Sequence, residues 1–242
     1  MRETTETYKE IVSGDYIVET RISINKEPVS SGVPENEIIG IRTKRRLFPD
    51  SYPSIGNCVS GEIKASFFIN GKNIPRNAEL RIYTRVKSLD GSLVDSKWIR
   101  KGTFFIDTRK YNHWENGKKI ITITGFDAML RAEQEYDVST LKEWPAKDVN
   151  IVKKIASQIG VGIDERTLNL LENGYGYRLN TPFGYSCREV LGYIAGMYGG
   201  NFIISDIGEL MLVQLNNVPR NNIYLVNEDG APITFGGVSI IV

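Results

Sequence analysis

Histidine is almost absent from this chain: His113 is the only one in 242 residues. A single imidazole cannot furnish a histidine-rich metal site, and the commonest acid–base partner is scarce. Cysteine is nearly as rare. Cys58 and Cys187 lie far apart in sequence, which gives neither the close spacing of a zinc site nor a disulfide framework. A bond between the two stays open, and synthesis inside a cell is the simpler expectation. No apolar run reaches the roughly 18 residues of a membrane-spanning helix, and Met1 to Glu6 is too polar for a signal peptide. An excess of either charge is also missing, with 30 Lys and Arg against 29 Asp and Glu. That balance argues against a general nucleic-acid binder. The expectation is a chain with no metal, no cofactor, no membrane insertion and no sequence-specific nucleic acid.

What the chain does have is alternation. Tyr16, Val18, Thr20, Ile22 and Ile24 fall on one face of a strand, opposite Glu19, Arg21 and Ser23. A turn or loop follows at Pro28 and Ser30–Pro34, then a strand near Glu37–Thr43. The next loop, Phe48–Pro53, carries two prolines that forbid pairing in a central strand. Ile63, Ala65, Phe67 and Ile69 then alternate with Glu62, Lys64 and Ser66 up to an Asn70-Gly71 turn signal. Leu80, Ile82 and Val86 alternate with Glu79, Arg81, Tyr83 and Arg85. Asp90-Gly91 separates that strand from an expected hairpin partner over 93–100, and a further strand is expected over 102–108. After a polar loop over 112–117 that holds His113, Ile121 and Ile123 alternate with Thr122 and Thr124 until Gly125 breaks the pattern. About seven strands at short intervals predict an antiparallel barrel or sandwich.

The period then changes. Pro145 suits a first helical position, and Val149, Val152, Ile155, Ala156 and Ile159 follow at helical spacing up to Gly160. A short helix is expected over 164–172, and Ser186-Cys187-Arg188-Glu189 is a capping-box sequence opening another. Residues 202–205 and 210–215, joined by a turn at 206–208, predict a hairpin, and strands resume at 223–226 and 236–242. Val242 falls in mid-strand, so the expectation is a piece of a longer protein or a last strand that needs a partner.

Few residues invite chemistry. Glu133, Glu135 and Asp137 imitate a glycosidase carboxylate pair, but acids after a last strand are usually solvated. Ser186 is accounted for as a cap, and Cys187 reads as a buried thiol rather than a nucleophile. Tyr175 and Tyr177 offer stacking surfaces for sugars or bases, with Trp114 a further platform for sugars, although turn packing is the plainer account of the tyrosines. The surface feature of most interest is Lys44-Arg45-Arg46 followed by Leu47 and Phe48. Three adjacent cations cannot all be buried unpaired. They form either a solvated hairpin end or a contact for an acidic partner surface anchored by Leu47 and Phe48. No catalytic constellation emerges.

Four pieces together carry a family resemblance. They are Phe48 with Gly56–Ala65; Ile74–Tyr83 with Gly102–Asp107; Ile123–Tyr136; and Ser186–Ala195 with Gly200–Phe202 and Gly208–Leu210. In this order the chain resembles the baseplate or tail-tip hub proteins of tailed phages, prophages and contractile injection particles. The resemblance implies an α+β, mainly β fold. A tail-tube-like antiparallel barrel would span residues 1–132 and a small α/β insert with two or three helices and a hairpin 133–215. A second barrel would begin at 216–242 and be left incomplete at Val242. It further implies a homotrimeric ring with a central channel for DNA or cargo, assembled in the bacterial cytoplasm into a virion tail or prophage-derived particle. Its neighbours would be the tail tube or distal tail protein, spike, tip or fibre proteins, and the tape-measure protein. A carbohydrate-binding tail-tip module and a cell-wall hydrolase are the alternatives.

Overall fold

The computed structural model of the chain describes residues 5–25, 37–69, 74–89, 96–113, 119–215, 234–235 and 238–239. Six strands make one antiparallel sheet: β1 (Tyr16–Ile24), β2 (Ile38–Lys44), β3 (Glu62–Phe68), β4 (Glu79–Ser88), β5 (Ile99–His113) and β6 (Lys119–Phe126). Their spatial order is β1-β4-β5-β6-β3-β2, curled into a nearly closed barrel. The fold is therefore α+β and mainly β, as expected. Alternation drives it: Ile121 and Ile123 are wholly buried, whereas Thr122 and Thr124, which alternate with them, are only half-buried. With Ile22, Ile63, Phe67, Leu80 and Phe104 they form the barrel core. Each such side chain contributes roughly 1.5–3 kcal/mol on burial.

The barrel departs from the sequence reading in four places. Of the strand expected over 93–100, residues 93–95 lie outside the described residues and 96–98 are not in a strand. Residues 99–100 join the strand expected over 102–108 in one long strand, β5, which pairs with β4 over its first half and with β6 over its second. Register shifts opposite Ile82/Tyr83 and at Ile106/Thr108 let this long strand bend between two neighbours. His113 is thus a strand residue, opposite Lys119, rather than a loop residue. Gly125 does not end β6, because its lack of a side chain admits the Phe105 carbonyl, which a Cβ would meet at 2.5 Å. A helix α1 (Glu6–Val12), capped by Thr5 and burying Ile11, precedes β1. Seven residues are too few to show a helical period.

Beyond β6 lies a second core. A 3₁₀ turn (Ala128–Glu133) leads to a second one (Val138–Thr140), β7 (Ala146–Lys147), α2 (Asp148–Ile159) and α3 (Glu165–Asn173). Then come β8 (Arg178–Leu179), α4 (Cys187–Met197), β9 (Gly200–Ile204) and β10 (Leu210–Gln214). Pro145 precedes β7 instead of opening α2. Gly160 closes α2 in the left-handed conformation, φ 74°. The capping box at α4 is formed: Ser186 Oγ accepts from the Glu189 N–H at 3.2 Å, and Glu189 Oε2 accepts from the Ser186 N–H at 2.8 Å. Ile151, Val152, Ile155, Leu191, Ile194 and Phe202 fill this core, joined by Cys58 from the barrel's β2–β3 connection.

Two short strands, β11 (Thr234–Phe235) and β12 (Val238–Ser239), pair with each other. The rest of the expected second barrel lies outside the described residues, as do the turns at Ser30–Pro34, Asn70-Gly71 and Asp90-Gly91, and Trp114. Among the described residues no helix is long and apolar enough to cross a membrane.

Candidate partner interface and the junction of the two cores

The connection from β2 to β3, residues 45–61, is a strap laid across the second core. Its backbone adds a third, irregular line to the β9–β10 hairpin. The Phe202 N–H donates to the Asn57 carbonyl at 2.9 Å, and the Gly56 N–H to the Gly200 carbonyl at 2.9 Å. Asn201, wholly buried in β9, completes the seam. Its Oδ1 accepts the Asn57 N–H at 2.8 Å, and its Nδ2 donates to the carbonyls of Leu47 and Ser54 at 3.0 and 2.6 Å. Helix α4 supports the strap from below, where the bare Gly192 admits the Gly56 backbone.

Two ionic groups lock the same region. Arg188, in the first turn of α4, donates to the carbonyls of Cys58 and Met129 and to Ser60 Oγ, and pairs with Glu133 at 2.8 Å. Asp127, just past β6, is 3 % exposed and accepts from the Gly61 N–H at 2.6 Å and the Met129 N–H at 3.0 Å. Burial pushes its carboxyl up to about 6, against those two N–H bonds and the nearby Arg45 and Arg188.

The five candidate interface residues sit at the mouth of this junction. Lys44 lies 4.0 Å from Glu62, both nearly half exposed. Arg45 turns inward, pairing with Asp206 in the β9–β10 turn and passing over the Phe104 ring. Arg46 is exposed and, among the described residues, donates to the nearby Pro49 carbonyl alone, at 3.2 Å. Leu47 and Phe48 are half-buried. Arg46 therefore has the guanidinium most open to a partner, while Arg45 joins two parts of the chain.

Other candidates have structural duties. Asp137 caps the second 3₁₀ turn through the Ser139 N–H and hydroxyl, at 3.0 and 2.6 Å. Glu133 is taken by Arg188, and the Glu135 backbone bridges to Ser186. Cys187 is buried and its thiol is pushed up to about 11; Cys58 rises to about 12, and both are free. Tyr175 is 72 % exposed and packs at 5.3 Å against Tyr177, which meets Tyr198 edge-on. Tyr198 is held by donating to Asp148 at 2.6 Å. Among the described residues no group of acids, histidines or cysteines could hold a metal ion.

Sequence reasoning missed the roles of Asn201, Asp127 and Arg188. All three lie inside the pieces that carried the resemblance, and the fold brings those pieces together at this junction. A lone Asn inside an otherwise apolar strand was the available signal.

A nearly closed antiparallel barrel strapped to a small α/β unit is the class of protein this chain defines. Among solved structures it is similar to the 43 kDa tail protein of prophage MuSo2 from Shewanella oneidensis, with a TM-score of 0.55 and 14 % identity over 88 % of this chain and 58 % of that one. It is also similar to the tail protein from Neisseria meningitidis MC58, with a TM-score of 0.50 and 11 % identity over 90 % of this chain and 54 % of that one. The fold is thus that of prophage tail proteins, and the chain spans little more than half the length of either. No protein-family model matches the sequence, and no curated protein matches it.

Proposed function

We propose that this chain is a structural component of a phage-type tail. In it, three copies form a hub ring that joins the tail tube to the tip or spike around a central channel. The observation that carries the reading is the tail-protein fold, extending over nearly nine-tenths of this chain. The junction supports it physically: a ring under load needs barrel and insert to move as one, and the strap, Asn201, Asp127 and Arg188 tie them together. The function is non-enzymatic, in keeping with acids and thiols committed to caps, ion pairs and core. Tail tube or distal tail protein on one side, and spike, tip, fibre or tape-measure protein on the other, are the partners. Arg46, flanked by Lys44 and by Leu47 and Phe48, is the contact offered to one of them. The particle is a virion tail or its prophage-derived relative.

Light scattering on a sizing column tests the ring. A mass near three times 27.2 kDa, held over a concentration series, is the expected result; a stable dimer would overturn it. One observation favours a second reading as a glycan-binding tip module, namely the exposed Tyr175 ring backed by Tyr177. Retention on cell-wall glycan, lost in Tyr175→Ala, would establish that reading instead.

A further inference from the structure

The near-neutral total hides a division of charge. Residues 1–132 hold 22 Lys and Arg against 16 Asp and Glu, and residues 133–215 hold 7 against 11. Within the barrel the division sharpens. Strands β2, β3, β5 and β6 together carry eight Lys and Arg but only two carboxylates, Glu62 and Asp107.

Register places the exposed cations. Arg42 stands directly opposite Lys64, Lys64 opposite Thr124, and Thr124 opposite Thr108, making one row across four strands. The next row on the same face runs Ser66, Thr122, Lys110, with Ser66 and Thr122 hydroxyls 2.9 Å apart. Consecutive rows are about 7 Å apart. Glu62, at the end of this face, faces Lys44 at 4.0 Å. Two cations held side by side destabilise a sheet unless something anionic covers them. The β1–β4 side of the barrel is different, since Arg85 pairs with Glu19 and Arg81 with Glu79.

We propose that the outer face of β2-β3-β6-β5, centred on Arg42, Lys64 and Lys110, is a binding surface for the sugar–phosphate backbone of a nucleic acid, without sequence preference. Cations and hydroxyls are the side chains that hold phosphate oxygens. The two rows hold no large apolar or aromatic anchor, which the core of a protein–protein interface needs. They also have no ring on which bases could stack. The surface therefore suits a regular polyanion better than an acidic protein. The inference rests on this face alone and does not depend on the ring.

Fluorescence anisotropy with a labelled random-sequence DNA duplex tests it on the full chain. Three phosphate contacts predict a log–log salt slope near −2.7, or about 40-fold weaker binding between 50 and 200 mM salt. R42Q/K64Q/K110Q is expected to lose at least tenfold in affinity with a urea midpoint at or above that of the wild type, since it also removes the Arg42–Lys64 repulsion. The control K142E/K154E, on the α/β unit, is expected to bind normally. Absence of binding at 50 mM salt overturns the proposal, as does binding that survives the triple substitution in a folded protein. Equal competition by polyglutamate at matched charge would also overturn it and assign the face to an acidic protein.

Discussion

The side-chain oxygen of Asn201 accepts the backbone N–H of Asn57 at 2.8 Å, across a gap of 144 positions in the sequence. That bond, with the two from Nδ2 to Leu47 and Ser54, fixes a loop that has no ladder of its own. Asn201→Ala leaves one donor and two acceptors to find other partners in a buried seam. The expected loss is about 2–4 kcal/mol. Urea denaturation measures it, and faster amide exchange at Gly56, Asn57 and Val59 locates it.

Gly192 and Gly196 make different predictions although both face the strap. A Cβ on Gly192 would lie 2.7 Å from the Gly56 carbonyl oxygen, a backbone atom that cannot swing away. Gly192→Ala is expected to cost about 1–3 kcal/mol as overpacking. At Gly196 the nearest atom is the Gly56 Cα, at 3.7 Å, an ordinary contact. Gly196→Ala is expected to be neutral or to stabilise by up to about 1 kcal/mol through helix propensity. Thermal melts of the pair check the geometry, and equal effects would contradict it.

Asp127 gives a pH dependence. Its folded carboxyl is raised to about 6 from an ordinary value near 3.8, chiefly by burial. The folded state therefore binds more protons than the unfolded chain between those values, and stability from this group falls as pH rises from about 4 to about 6. The full effect is on the order of 2–3 kcal/mol. Asp164 and Glu189 are lowered by their hydrogen bonds and act with the opposite sign at lower pH. The difference between wild type and Asp127→Asn isolates the group: the variant's unfolding free energy is expected to lack the decline over pH 4–6.

Arg45 and Arg46 are neighbours with separate duties. Arg45→Glu opposes Asp206 and is expected to lower stability by about 1 kcal/mol, an exposed-pair value, with partial recovery in R45E/D206R. Arg46→Glu is expected to leave the melt unchanged and to weaken assembly or partner capture. Light scattering and calorimetry on the two variants separate these effects.

The barrel strands and helices α2, α3 and α4 were legible because alternation and the 3.6-residue period are local. Ile121 to Thr124, the Val149–Ile159 stripe and the Ser186–Glu189 box each needed only their own neighbours. The single long run of β5 from Ile99 to His113 was not legible, since bulges at Lys101 and Asp107 express a bend imposed by β4 and β6 together. Nor was the seam. Asn201 and Asn57 are ordinary polar residues until the fold sets them side by side, and Arg45 reads as part of a basic run until Asp206 comes within reach. The resemblance marked those segments without saying what they do.

Quantitative mass spectrometry of tail particles, purified after inducing the bacterium that encodes this chain, tests the central claim most directly. The account predicts that the chain co-purifies at three copies per particle, with tube subunits in multiples of six. Intact particles that contain the tube subunit but lack this chain would contradict it.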